Sequence, residues 1–232
     1  MVTQLEQDLA DVRSRIAAAA ERVGRDPFEI KLVAVSKTHP AARVEDAVAA
    51  GIKAIGENRV QEAEDKIGKV GRSAAEWHLI GHLQSNKARK AVELFDVIQS
   101  VDSVDLAKRL ERICIEEGRS ELPVFIEVDL AGEETKTGIA ESDLPDLVRI
   151  MLSCICLRLD GLMIVPPYSE DPEKVRPYFK RLRVIRDALA KEGAFGSRNG
   201  ELSMGMSHDF EVAIEEGATV VRVGTAIFGD RG

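Results

Sequence analysis

The chain has 232 residues, 44% of them hydrophobic and 31% charged, with a formal net charge of −8. That length suits one α/β domain better than two small ones, and the acidic balance argues against a general affinity for nucleic acid or anionic membranes. No apolar run approaches the roughly 18 residues of a membrane span, and the acidic, amphipathic start is unlike a cleaved signal peptide, so the expected compartment is the cytoplasm.

The pattern opens with a helix, about Thr3 to Val23, that places Leu5, Leu9, Val12 and Ile16 on one face. Eight short strand candidates follow: Lys31–Ser36, Ala54–Gly56, Trp77–Ile80, Val97–Ser100, Val124–Asp129, Leu159–Ile164, Glu201–Ser203 and Thr219–Val223. Helical patterns separate them, at about Val44–Ala50, Val60–Val70, Lys87–Leu94, Ser103–Glu117, Leu144–Ser153, Pro172–Lys191 and Phe210–Glu216. Asp143 is placed to cap the fifth of these, with Pro145 in its first turn, and Gly51, Gly118, Gly193 and Gly217 each follow a helix end.

Repeated β–α units imply a parallel sheet, and eight of them predict a single closed (β/α)8 TIM barrel with an extra N-terminal helix, one domain over residues 1–232. An open doubly wound sheet is the alternative. The barrel closes its own sheet and no heptad repeat is present, so a monomer is expected. Cys114, Cys154 and Cys156 lack metal or redox spacing; neither a disulfide framework nor a metal site is expected. The acidic helix Ser103–Glu117 and the basic stretch Lys174–Arg186 read as solvated helix faces, with docking to another protein as the alternative.

In such barrels the chemistry sits in loops after the C-terminal strand ends, often with phosphate held after strands seven and eight. Lys37 ends the apolar run Lys31-Leu-Val-Ala-Val-Ser-Lys37, just before Thr38-His39-Pro40. A lysine where a buried strand opens into a loop can lose hydration, and its amine becomes a nucleophile towards carbonyls. By itself this is more often a solvated strand-end lysine. Asn58 follows strand two; Ser203-Met204-Gly205-Met206-Ser207 follows strand seven; Arg222-Val-Gly224-Thr225 ends strand eight. Ser203, Gly205, Ser207, Gly224 and Thr225 suit a phosphate, because small residues let backbone N–H groups approach and hydroxyls add donors. Either segment alone could be ordinary turn chemistry; both after adjacent strands favour phosphate.

An amine at strand one and a phosphate cradle match the two ends of pyridoxal 5′-phosphate (PLP). The chain resembles the pyridoxal-phosphate homeostasis protein family, whose barrel is similar to the N-terminal domain of alanine racemase. The resemblance rests on Val33-Ala-Val-Ser-Lys37, Gly56-Glu-Asn-Arg-Val-Gln61, Trp77-His-Leu-Ile-Gly81 with Leu83-Gln-Ser-Asn-Lys87, Gly161-Leu-Met163, Leu202-Ser-Met-Gly-Met-Ser207 and Val221-Arg-Val-Gly-Thr-Ala-Ile-Phe-Gly229, spread over nearly the whole length. Leu79 stands where Phe is common, and Ile164-Val165 where smaller residues are frequent.

The resemblance implies that Lys37 forms a Schiff base with PLP, that Ser203, Gly224 and Thr225 hold the phosphate, and that Arg222 faces the pyridine nitrogen. It places Asn58 near the ring and His78, Met204 and Gly205 around the pocket. Arg222 cannot act as an anionic partner of the ring nitrogen, which weakens carbanion chemistry. Racemisation also needs a second acid or base opposite the lysine. Neither Tyr168 nor Tyr178 lies in a segment matching the racemase tyrosine; His39, His78, His82 and His208 are the stand-ins. The expected function is reversible PLP holding in intracellular PLP homeostasis, with no catalytic residue and with apo PLP-dependent enzymes as possible recipients. A PLP-dependent racemase or related α-carbon enzyme is the alternative, and a barrel for another phosphorylated ligand is a third reading.

Overall fold

The computed structural model describes residues 2–132 and 137–229. Eight parallel strands close on themselves: β1 (Lys31–Val35), β2 (Ala54–Glu57), β3 (Glu76–Leu79), β4 (Val97–Val101), β5 (Leu122–Asp129), β6 (Leu157–Met163), β7 (Glu201–Ser203) and β8 (Val220–Val223). β8 pairs back onto β1 with Val221 opposite Leu32, so the barrel leaves no free sheet edge. The expected TIM barrel is the fold.

Strand boundaries differ from the sequence reading by a residue or two. β6 starts two residues earlier than read, at Leu157; Arg158, left outside the expected strand, bonds Asp160 at 2.6 Å along it. A two-residue strand, Ile139–Ala140, pairs with Val128 and Asp129 outside the barrel and is too short to leave a periodic signal.

Side chains alternate across each strand. Val33, Ala54, Val97, Phe125, Met163 and Val220 pack together as an apolar plug inside the barrel. Ala34, Ile55, Ile98, Ile126, Leu162, Val221 and Val223 join the larger core under the helices. Two residues beyond the plug, the same period turns Gln99, Glu127 and Arg222 inward, one step nearer the C-terminal mouth.

The helices are α1 (Gln4–Arg22), α2 (Ala41–Ala49), α3 (Val60–Val70), α4 (Ala88–Leu94), α5 (Val104–Glu116), α6 (Leu144–Ser153), α7 (Arg176–Lys191), α8 (Phe210–Glu215) and α9 (Thr225–Phe228). With four residues, α9 buries too little to complete the outer ring. α1 packs against α8 and α9 and fills that place, burying Leu5, Leu9, Val12 and Ile16 as the periodicity predicts. A reciprocal cap starts it: Thr3 Oγ1 accepts the Glu6 N–H and Glu6 Oε2 accepts the Thr3 N–H.

Asp143 and Pro145 stand at the start of α6 as expected, but the Asp143 carboxylate accepts from the Ser142 hydroxyl and caps no helix N–H. In the basic stretch, Arg176 pairs with Glu173, Glu215 and Glu216, and Arg181 with Glu141, as solvated faces do. Cys114 is fully buried, and burial pushes its thiol up to about 11, the behaviour of an inert core cysteine. No helix among the described residues is long and apolar enough to cross a membrane.

Candidate functional site at the C-terminal mouth

Because the strands are parallel, everything that follows a strand end faces one mouth. Lys37, Asn58, Ser203–Ser207 and Gly224–Thr225 all lie there. β8 neighbours β1, so the glycine and hydroxyl loops stand beside Lys37; a Cβ added to Gly224 would meet Val35 O at 3.2 Å.

Lys37 is half-buried in a turn closed by the His39 N–H, which donates to Ser36 O at 3.0 Å. Thr38, next to it, has φ 67°, the one positive φ outside glycine among the described residues. A β-branched residue in that region costs about 1–3 kcal/mol and persists where its surroundings hold it. Here α3 does the holding. Glu62 Oε2 accepts the Thr38 N–H at 3.2 Å, and Lys66 Nζ donates to Ser36 O at 2.7 Å. The Lys66 ammonium is buried against Glu57 Oε1 at 2.6 Å, which also accepts from the Ser36 hydroxyl. Burial raises the Glu57 carboxyl while Lys66 and Ser36 oppose the rise. None of Ser36, Glu57 and Lys66 was foreseen from the sequence as part of the site.

The other wall is built from two loops tied together, with the Arg222 N–H donating to Gly205 O at 3.0 Å. Gly205 has φ 94°, and a Cβ there would lie 2.6 Å from Ala213 Cβ, so only glycine fits. Ser207 Oγ accepts the N–H groups of Gly224 at 3.1 Å and Ala226 at 3.4 Å, and exposed Thr225 presents its hydroxyl beside them, without a partner among the described residues. Met204 is fully buried in the layer beneath the helices. Ser203 is inside the barrel: its hydroxyl accepts from Arg222 Nη1 and donates to Gln99 Oε1, both at 2.6 Å.

Arg222 is 3% exposed, and its Nη2 donates to Ile164 O at 2.8 Å. Burial lowers its pKa to about 10, still protonated at neutral pH, with Glu127 and Asp209 favouring the charge. His78 lies below Arg222, with Nδ1 2.8 Å from Gln99 Nε2, at the top of a cavity of about 870 Å³ that opens at the opposite, N-terminal end of the barrel. Asn58 is half-buried, and its Oδ1 is enclosed without a protein partner.

Glu127 is a second residue missed in the sequence. It is 4% exposed; Thr137 Oγ1 donates to its Oε1 at 2.8 Å, while Oε2 is enclosed without a partner. Burial pushes its carboxyl above the ordinary range, against the pull of Thr137, Arg222 and His82. The folded chain therefore holds this proton to higher pH than the unfolded chain does. The stability it contributes is full below the unfolded pKa of about 4.3 and is lost as pH rises through the folded value. Glu127→Gln is expected to stabilise the protein by about 1 kcal/mol at pH 7, with the gain shrinking towards pH 4, in urea unfolding at the two pH values.

Comparison with known proteins decides the family. The family profile described as "Alanine racemase, N-terminal domain" matches residues 7–232. A pyridoxal phosphate homeostasis protein of Aquifex aeolicus is 44% identical over 223 residues, covering 96% of each chain. That of Escherichia coli K12 is 41% identical over 240 residues, covering 99% of this chain and 98% of the other. The chain belongs to the pyridoxal phosphate homeostasis protein family. PipY of Synechococcus elongatus, solved with PLP bound, superposes with a TM-score of 0.81 at 39% identity, covering 97% of this chain and 100% of PipY.

Proposed function

We propose that this chain binds PLP reversibly and serves in its homeostasis, taking up and releasing the cofactor without robust turnover of amino acids. One observation carries the reading: a single mouth holds the Lys37 amine, two small-residue loops with the Ser207 and Thr225 hydroxyls, and the buried Arg222 cation. The names of the relatives at 41–44% identity and the PLP held by PipY support it.

The residues present fit the cofactor. Gly205 and Gly224 keep backbone close, and the enclosed Asn58 Oδ1 offers a hydrogen-bonding group without a protein partner. Bound PLP supplies an aldehyde that condenses reversibly with amines. Lys37 provides the amine for that link. The Thr225 and Ser207 hydroxyls would hold the phosphate, with Gly224, whose N–H goes to Ser207, keeping the backbone close; the Ser203 hydroxyl is committed to Arg222 and Gln99, so Ser203 orients Arg222. Met204 backs the loop from beneath. Arg222, protonated at neutral pH, would face the ring nitrogen and so keep it unprotonated.

A reversible link beside a mouth suits a carrier, because a competing amine can take the cofactor away. We read the chain as a cytoplasmic monomer with apo PLP-dependent enzymes as recipients. A second reading, an α-carbon enzyme, is favoured by His82, whose Nδ1 lies 3.0 Å from Asp102 Oδ2 in the loops after β3 and β4 and could serve as an acid or base. Incubating PLP-loaded protein with L-amino acids in deuterium oxide separates the two. The carrier reading expects retained configuration and no α-deuterium above a PLP-only control. Exchange that is lost in both Lys37→Ala and His82→Ala would establish the enzyme.

A further inference from the structure

The turn that carries Lys37 is unusual in being held from outside. Within the turn the His39 N–H closes onto Ser36 O, and Thr38 sits in a region that β-branched residues avoid. Besides the Ser36 N–H bond to Gly56 O and the stacking of His39 on Phe228, the contacts that bracket Lys37 come from one face of α3. Glu62 and Lys66, four residues apart, take the Thr38 N–H and the Ser36 carbonyl respectively, bracketing Lys37 on both sides.

Lys66 is an odd choice for core packing. It is 4% exposed and faces a fully buried Glu57, and a buried ion pair of this kind stabilises a fold no better than apolar side chains of equal volume. A hydrocarbon could fill the space. It could not hold the carbonyl of the residue before Lys37. Glu57 completes the arrangement by accepting from both Lys66 and the Ser36 hydroxyl, so Ser36 is gripped at its side chain and its backbone.

We propose that Lys66, with Glu57 as its counter-ion and Glu62 as its outer partner, is a positioning residue that aims the Lys37 amine at the PLP aldehyde carbon. The assignment rests on the reading that Lys37 binds PLP. Lys66 acts through the Ser36–His39 turn and has no contact with the cofactor in this role. The distinguishing consequence is selective: loosening the clamp weakens binding of PLP, which uses the amine, and leaves binding of pyridoxine 5′-phosphate, which has no aldehyde, at its wild-type level.

The test uses the full chain with Lys66→Met and Glu57→Gln together, so that no unpaired charge stays buried, and Glu62→Ala separately as a milder variant at the protein surface. Absorption titration gives the PLP affinity, stopped flow gives the rate of attachment, competition gives the pyridoxine 5′-phosphate affinity, and amide exchange by mass spectrometry follows residues 36–39. For the double variant we expect about tenfold weaker PLP binding, slower attachment, faster exchange of the turn and unchanged pyridoxine 5′-phosphate binding, as a misplaced reacting group produces. Glu62→Ala should move the same readouts by about threefold, and it carries the test if the double variant does not fold. Wild-type PLP affinity and attachment rate in a folded variant would overturn the proposal, as would equal weakening of both ligands. Borohydride reduction of the wild type, followed by peptide mapping, separates the two levels: PLP trapped anywhere but Lys37 removes the reading beneath the proposal, whatever the clamp variants do.

Discussion

Lys37→Ala is expected to abolish the visible absorption of lysine-bound PLP and the borohydride-trapped peptide, and to weaken PLP binding by about a hundredfold, close to 3 kcal/mol at 1.4 kcal/mol per decade. Binding should not vanish. On the proposed reading, Ser207, Gly224 and Thr225 would still face the phosphate and Arg222 the ring. The residual affinity should therefore match that of pyridoxine 5′-phosphate for the wild type, which measures the same site without the covalent link. The fold should hardly notice, because Lys37 is half-buried at a mouth and contributes to no apolar cluster; a change within about 1 kcal/mol in urea unfolding is expected. A variant that keeps both the absorption band and wild-type affinity would move the covalent link to another lysine and with it the whole reading of the mouth.

How much of this was legible before the structure depends on what kind of signal each residue leaves. The barrel was, because eight β–α alternations impose a period that few other arrangements share. Arg222 was, because a cation between two valines in a strand must face either the inner plug or the helices. Glycine and hydroxyl loops after adjacent strands also announce themselves. The buried polar groups did not. Lys66 lies on the same face of α3 as Val60, Ala63 and Ile67, but in the run Glu64-Asp65-Lys66 it reads as a solvated charge. That face was the available signal. Glu127 looks in sequence like an interruption of a strand, and only the two-residue period from Phe125 turns it inward. Ser203 and Ser207 both suited a phosphate by composition; which of them meets it depends on the backbone turn at Gly205, where φ is 94°. The sequence reading carries the order of the elements and the residue types at the mouth. It does not carry which of two hydroxyls a single turn presents.

Arg222 supports the second large prediction, which concerns the empty protein as much as the loaded one. Its guanidinium joins the Ser203 hydroxyl and the Ile164 carbonyl and offsets two buried carboxyls, Glu127 and Asp209, whose pKa values burial already raises. Arg222→Met keeps the volume of the side chain and removes all four interactions. The Ile164 carbonyl then loses its donor, and both carboxyls lose their nearest cation inside the barrel. Removing one member of a buried charged set costs about 3–5 kcal/mol, which in a chain of this size lowers the melting temperature by roughly 10 °C. The pH dependence supplies the sign. Without Arg222 the folded-state pKa values of Glu127 and Asp209 rise further above their unfolded values, so the destabilisation should be largest at pH 7 and smaller at pH 4, where both carboxyls carry protons. Arg222→Lys keeps a cation but not the two-armed geometry and should fall between the two. A loss that stays constant between pH 4 and pH 7 would mean that Arg222 serves the fold through its hydrogen bonds to Ser203 and Ile164 alone. Its charge would then be there for the ligand, and the contrast between Arg222→Lys and Arg222→Met in PLP affinity would exceed their contrast in stability.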